Sequence, residues 1–357
     1  MAGLCAAVIG VGLSWAFSSQ LPLLHTARTA LSNRRQQTEP LVLGWVPYWD
    51  QAAALTSLET EADRIDFAGI FWYTVRADGS IDTYPYAEVS RSVVKNIQAQ
   101  GVGTLAVIAN LPPEDEGGDW DDTRLDKALG TPIARRRHIA EIVALVQAMG
   151  FDGVNIDYEA LRPDQRDEFS AFIKELSSTL HAEGKIVGVS LLPKTTDVDP
   201  DFENGSAAQD WAALSQHADH LYLMTYEEHW EDSEPGSVAS LPWMKEVLLY
   251  ARSQSPASKL FGCLLMYVYD CAAGRKAEGL TYTQVRNLVA SHQLQPRWDA
   301  TAGSWYFSYA DQDGTHHVWY EDATSVQEKV DLLQSLGITH VAVWRLGNED
   351  PAAWSAL

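Results

Sequence analysis

The sequence has little cysteine, little positive charge and no apolar run long enough for a comfortable membrane span. Three cysteines in 357 residues make no disulfide framework. A strand from Cys263 to about Tyr269 puts Cys263 and Cys271 more than ~20 Å apart, too far to bridge, so both read as small buried or loop residues. Lys and Arg number 26 against 48 Asp and Glu, a formal charge of −22, and no basic run exceeds Arg135-Arg136-Arg137. That balance argues against a nucleic-acid partner. The apolar stretch Ala2 to Phe17, broken at Ser14, is short beside the roughly 17 to 25 residues of a spanning helix. It lacks a basic leader, although Ser14-Trp15-Ala16 offers a small-x-small cleavage site. Residues 1–40 therefore read as a signal peptide or an N-terminal membrane anchor through residues 2–17, plus a linker. Either places the rest of the chain outside the cytoplasm, secreted or tethered.

What the chain has in quantity is apolar and aromatic surface. A hydrophobic content of 46% supports one large core, and length does not force a second domain. The 13 Trp and 14 Tyr exceed what a core needs, and flat rings with polar edges suit sugar stacking as well as core filling.

From Leu41 onward short apolar runs alternate with helical patterns, the mark of a parallel sheet. Eight strands are expected: Leu41 to Val46, Phe67 to Trp72, Thr104 to Ala109, Gly153 to Asp157, Ile186 to Leu191, His220 to Thr225, Lys259 to Tyr267 and His340 to Trp344. After the fourth, Phe169, Phe172, Ile173, Leu176 and Leu180 make one apolar helical stripe between Pro163 and Gly184. A similar stripe, Ile139, Ile142, Val143 and Val146, precedes Met149-Gly150. Eight strands with intervening helices favour a closed (β/α)₈ TIM barrel of α/β class over an open doubly wound sheet. Within this catalytic unit, residues 41–357, an insertion at about 275–322 follows strand seven. It comprises a helix over Thr281 to His292 and a hairpin, Trp305 to Tyr309 and His316 to Tyr320. The last helix is expected to be short.

Chemistry concentrates in Phe151-Asp152-Gly153-Val154-Asn155-Ile156-Asp157-Tyr158-Glu159. Alternation puts Asn155, Asp157 and Glu159 on one face, inside a barrel, and Val154, Ile156 and Tyr158 against the helices. Stacked polar groups are costly there unless hydrogen-bonded and used. Two carboxyls two residues apart repel each other, so one stays protonated while the other ionises, as acid catalysis requires. On strand logic alone a metal site or a structural polar plug is the alternative. His316-His317 and His229 lack ligand spacing, so neither metal nor cofactor is expected.

The run resembles the strand-four signature of glycoside hydrolase family 18, Asp-Gly-x-Asp-x-Asp-x-Glu, matched at Asp152, Gly153, Asp157 and Glu159. Asn155 stands where the family usually has Asp, a form similar to that of its bacterial cell-wall and spore-cortex N-acetylglucosaminidases. Met224-Thr225-Tyr226-Glu227 is similar to the family's strand-six Met-x-Tyr-Asp, and Trp344 ends strand eight where the family keeps a subsite Trp. The resemblance implies substrate-assisted retaining hydrolysis of a polysaccharide containing N-acetyl amino sugars, peptidoglycan or chitin-like. It implies Glu159 as general acid, Asp157 as electrostatic partner, Tyr226 on the acetamide and Trp344 under the sugar. By position Asn110, Asn155 and Glu227 are further binding candidates, as are Trp49, Trp72 and Tyr73 paving the cleft and Trp319 and Tyr320 walling it. A catalytically silent carbohydrate-binding protein on the same barrel is the reading from another class, and Glu159 argues against it. An unrelated barrel hydrolase acting through metal or phosphate lacks a phosphate-binding glycine loop.

Overall fold

The computed structural model describes residues 40–197, 205–272, 275–312 and 314–357. The expectation for the N-terminal segment, residues 1–39, lies outside them. Eight parallel strands form the centre: β1 Val42–Pro47, β2 Phe67–Val75, β3 Gly103–Ala109, β4 Gly153–Asp157, β5 Ile186–Leu191, β6 His220–Met224, β7 Leu260–Leu265 and β8 His340–Trp344. They run in the order β1-β8-β7-β6-β5-β4-β3-β2, and β2 pairs back onto β1 to close the barrel. Closure leaves no free edge and buries both faces, which is why these strands read as near-continuous apolar runs. Apart from His220 and Trp344, every residue of the eight is buried. Three of the eight expected strands match residue for residue, and the others shift at their ends by one to three residues.

Two apolar layers follow from side-chain alternation. Val154, Ile156 and Tyr158 join the layer between barrel and helices, with Phe169, Phe172, Ile173, Leu176 and Leu180 of the helix Arg166–His181. Leu43, Trp45, Phe67, Leu105, Val107, Tyr222 and Phe261 fill the barrel interior. The helix Pro132–Met149 shows how local chemistry sets up β4. Thr131 caps its start by accepting from Ala134 N, Pro132 occupies the first turn, and Gly150 ends it in the left-handed region at φ 82°. The chain reverses there, and Asp152 then moors the foot of β4, its carboxylate accepting from Thr104 N at 2.9 Å and Gln98 Nε2 at 2.9 Å. The signature's first Asp is thus an anchor at the far end of the strand from the chemistry.

The insertion is larger than expected and begins earlier. The chain leaves the barrel after β7, where Met266 N donates to Trp344 O at 2.7 Å. Tyr267–Ala272 then opens a five-stranded antiparallel sheet with Glu278–Thr281, Gly314–Tyr320, Ser304–Asp311 and Arg297–Asp299. The expected helix (Tyr282–Ser291) and hairpin are present within it. Tyr267 was expected in the seventh strand because nothing in the apolar run signals a break. The break comes from Trp344, a partner distant in sequence. The sheet and helix bury a small core of Val268, Leu280, Val285, Phe307, Val318 and Tyr320. A buried ion pair, Glu321 with Lys329, moors the insertion's exit strand to the barrel helix Ala323–Ser335, and Ser304 Oγ donates to Glu321 at 2.9 Å. After β8 only the 3₁₀ turn Pro351–Ser355 follows, in keeping with a short last element.

Gly153 is where β4 and β5 meet most tightly: a Cβ there would sit 2.2 Å from Ile186 O. Gly153→Ala should cost at least about 1–3 kcal/mol by overpacking. A denaturant melt is the measurement, and unchanged stability would show that the two strands can part.

Candidate active site

Asp157 is the last residue of β4, paired across the ladder with Ala109 of β3. Two residues on, Glu159 has left the ladder, so its backbone groups need other partners. Asn110, directly after β3 and fully buried, supplies both: Glu159 N donates to Asn110 Oδ1 at 2.8 Å and Asn110 Nδ2 donates to Glu159 O at 2.9 Å. The next residue, Ala160, turns the chain away at φ 51°. Asn110 therefore holds the main chain beneath the general-acid candidate.

Asp157 and Glu159 face a cavity of about 190 Å³ lined also by Trp45, Trp49, Tyr226, Glu227 and Trp344. Desolvation raises the Asp157 carboxyl above its usual range, and the Ser190 hydroxyl draws it part of the way back. Glu159 is pushed well up, first by desolvation and then by the charges of Asp157 and Glu227. Glu227 turns into the mouth at φ 67° and is raised by desolvation and Glu231. Because Glu227 keeps an exposed edge, solvent screens it, and the inner pair carries the electrostatic argument. No lysine or arginine lines the cavity among the described residues. With no cation in the lining, desolvation and repulsion raise both carboxyls, and Glu159 carries the added repulsion of two neighbouring charges.

The aromatic residues divide. Trp344 ends β8 and meets Trp45 edge-on at 5.8 Å and Trp49 at 6.1 Å between ring centroids. Trp49, half exposed, is held by the Arg345 guanidinium 5.6 Å above its ring, and Arg345 in turn binds Asp50 at 2.8 Å. Tyr226 is buried with its ring in the cavity lining. Trp72 and Tyr73 were expected to pave the cleft, and the structure corrects both. Each is packed in the layer between barrel and helices, Trp72 donating from Nε1 to Gln51 Oε1 at 2.5 Å. A register shift between Phe71 and Tyr73 breaks the alternation that would have turned Tyr73 inward, and Phe71 lines the cavity instead.

Neither Asn110 nor Asn155 lines the cavity; Asn155 lies inside the barrel below Asp157. Tyr320 belongs to the insertion's core, while Trp319 and His317 line a second cavity of about 770 Å³ with Glu231, Asp232 and Lys276. His316 is committed to Asp270 and Asp311.

Sequence reasoning missed Trp45, Phe71, Leu111, Trp120, Ser190, Met224 and Tyr267 in the lining. Trp45 and Ser190 carried a usable signal, since each occupies an inward position of its strand by the same alternation that placed Asp157. Trp120 sits in a loop with no periodicity to read.

The raised carboxyls predict a pH-dependent stability change. A group whose pKa is higher folded than unfolded contributes stability fully at low pH and loses it as pH rises through the folded value. Glu159→Gln removes that loss, so its melting temperature relative to the native protein should increase between about pH 5 and about pH 8. Calorimetry at both ends checks the sign, and a constant difference would mean that Glu159 titrates as an ordinary exposed carboxylate.

Comparison with known proteins gives a consistent result. The family model described as "Glycosyl hydrolases family 18" matches residues 117–349. A protein of Bacillus subtilis named "Uncharacterized glycosylase YvbX" is 31% identical over 72% of this chain and 74% of its own. A cortical fragment-lytic enzyme from the same organism is 28% identical over 82% of this chain and 67% of its own. Among solved structures, a chitinase from Chromobacterium violaceum superposes with a TM-score of 0.81 at 28% identity, covering 89% of this chain and 97% of that one. With the closed barrel, the carboxyl pair at the end of its fourth strand and the matched span, this chain belongs to glycoside hydrolase family 18.

Proposed function

We propose that the protein hydrolyses β-linked N-acetylglucosamine-containing polysaccharide, peptidoglycan or chitin-like, by substrate-assisted retention. The observation that carries the reading is the Asp157–Glu159 pair in a cavity that no lysine or arginine lines among the described residues. Such a pair keeps a transferable proton at neutral pH. The cortex-lytic and chitinase relatives support the substrate class.

In this mechanism Glu159 gives its proton to the glycosidic oxygen as the bond to the anomeric carbon breaks. The sugar's own acetamide oxygen attacks that carbon from the opposite face, so no enzyme nucleophile is required. Asp157 orients the acetamide and offsets the positive charge that develops on it. Tyr226 donates from its hydroxyl to the acetamide oxygen, and Trp344 carries the ring face. Glu159, now ionised, takes a proton from the incoming water, which opens the cyclic intermediate with retained configuration. Glu227 supplies a further polar contact at the mouth.

Product analysis by mass spectrometry, with the full chain and its Glu159→Gln variant on chitin oligomers and on purified peptidoglycan, tests the proposal. Cleavage of one substrate and an inactive variant are expected; binding without cleavage of either would make the protein a carbohydrate-binding member of the family. Tyr226→Phe should lower turnover by roughly 10². An unchanged rate would make Tyr226 a packing residue. Residues 2–17 further support action outside the cytoplasm, and recovery of only full-length protein in the soluble cytoplasmic fraction would overturn that placement.

A further inference from the structure

On the side of β4 away from the cavity, a histidine of the helix Pro132–Met149 is tied to the residue that separates Asp157 from Glu159. Tyr158 lies beyond the last paired residues of β4, so the ladder no longer fixes it. Its ring enters the layer between barrel and helices and stacks on Phe172 at 5.8 Å, with 15° between the planes. The Tyr158 hydroxyl is 2.6 Å from His138 Nε2, and His138 Nδ1 is 3.1 Å from Gly79 O. Both side chains are fully buried, so water does not compete for these bonds. A carbonyl only accepts, which puts the ring hydrogen on Nδ1. In the neutral ring Nε2 is then bare and accepts from the Tyr158 hydroxyl. Burial pushes the imidazole down to about 4, against the pull of the Gly79 bond, and so keeps it neutral near pH 7.

The far end of this bridge is firm. Gly79 belongs to the turn at residues 76–80, closed by Arg76 N donating to Ser80 O at 2.8 Å, and a Cβ on Gly79 would sit 2.6 Å from the Lys127 main chain. The near end has no strand partner. Beyond β4 the main chain is held by side-chain amides: Gln209 Nε2 donates to Tyr158 O at 3.4 Å, and Asn110 takes both main-chain groups of Glu159.

We propose that His138 is a positioning residue for the carboxyl pair: its neutral imidazole ties the Tyr158 hydroxyl to the Gly79 carbonyl and holds Tyr158 outward, while Asp157 and Glu159 on either side of it face the cavity. Successive side chains of an extended chain point to opposite sides, so fixing the middle one sets the direction of both neighbours. Without the hydroxyl bond Glu159, the residue farther from the ladder, is the freer of the two to turn toward solvent. Burial and the charges of Asp157 and Glu227 raise its carboxyl where it is held, so turning outward lowers it. The inference deepens the glycosidase reading and rests on it only for its kinetic consequence.

The test is NMR on the full chain. With labelled histidine, the His138 ring, assigned by its loss in His138→Gln, should be neutral at pH 7 with its hydrogen on Nδ1. With carboxyl-labelled glutamate, the Glu159 signal is assigned by its loss in Glu159→Gln and followed through a titration. Tyr158→Phe keeps the ring and its stacking and removes only the hydroxyl; it should lower the Glu159 midpoint by about one pH unit. His138→Leu should do the same, and combining the two should add nothing more, because one bond has been removed twice. His138→Gln, whose amide has one oxygen to accept and an N–H to donate, should bring the midpoint back toward the native value. In Tyr158→Phe and His138→Leu kcat should fall roughly tenfold with KM little changed.

A ring hydrogen on Nε2, a Glu159 midpoint unmoved in Tyr158→Phe, or shifts that simply add in the double variant would overturn the proposal. Lower melting temperature with an unmoved midpoint assigns the bond a purely structural role and overturns it too, as does a Gln variant no closer to native than the Leu one. If His138→Leu does not fold, the ring hydrogen and Tyr158→Phe decide alone. The titrations need no substrate, so a native protein that cleaves no glycan counts against the proposed function while leaving this inference to be judged on the midpoints.

Discussion

Carboxyl groups crowded into a cavity that no lysine or arginine lines among the described residues set the terms for the rest of this structure. A buried charge is costly unless it is paired or neutralised. Arg345, which follows Trp344 of the cavity lining, is engaged by Asp50 and the Trp49 ring. Desolvation and mutual repulsion then raise the carboxyls where an ion pair would have lowered them. The fold must tolerate that choice, and it does so through rigid surroundings: strands without edges, a main-chain clamp from Asn110 and a mooring for β4 at Asp152. Each removes a way for the pair to relax toward solvent, where both carboxyls would ionise together.

The rigidity also has a direction along β4. At its foot Asp152 is bound by Thr104 and Gln98, and Gly153 lies against the Ile186 carbonyl with no room for a side chain. In the middle Asn155 is tied to neighbouring strands through Trp45 and Ser190. Beyond the last ladder bond the chain is held by the Asn110 amide, a side-chain substitute for a strand partner. Asp152, Gly153 and Asn155 thus fix the strand, while Asp157 and Glu159 act at its mouth. The spacing of the signature follows from strand geometry more than from chemistry at every position.

Much of this was legible in the sequence because parallel barrels write themselves plainly. Strands buried on both faces are apolar throughout, helices carry one stripe, and glycine ends them. Alternation then placed Asn155, Asp157 and Glu159 inside without further information. The failures have different causes. Trp72 and Tyr73 were placed by their nearness to a strand's end, but a register shift turned Tyr73 outward and alternation already assigned Trp72 to the helix side. The end of β7 was misjudged because the bond from Met266 to Trp344 joins segments distant in sequence. Asn110 was expected to serve the site, yet its route, through the Glu159 main chain, has no sequence signature. Local pattern shows which face a residue occupies; it does not show which partner waits there.

The aromatic shell extends the same principle from the acid to its proposed substrate. Trp344 meets Trp45 and Trp49 at steep angles, edge to face, with interplanar angles of 72° and 66°. Edge contacts hold a ring by its rim and are favourable in their own right. A ring held in this way keeps its orientation without a side chain stacked across it. On the glycosidase reading, the sugar therefore meets a platform already ordered, and little side-chain freedom remains to be lost on binding. Trp45 has a second contact, its indole N–H donating to Asn155 Oδ1 at 2.9 Å. A change that tilted Trp45 would therefore disturb the proposed sugar platform and the tie that holds Asn155 in the middle of β4 together.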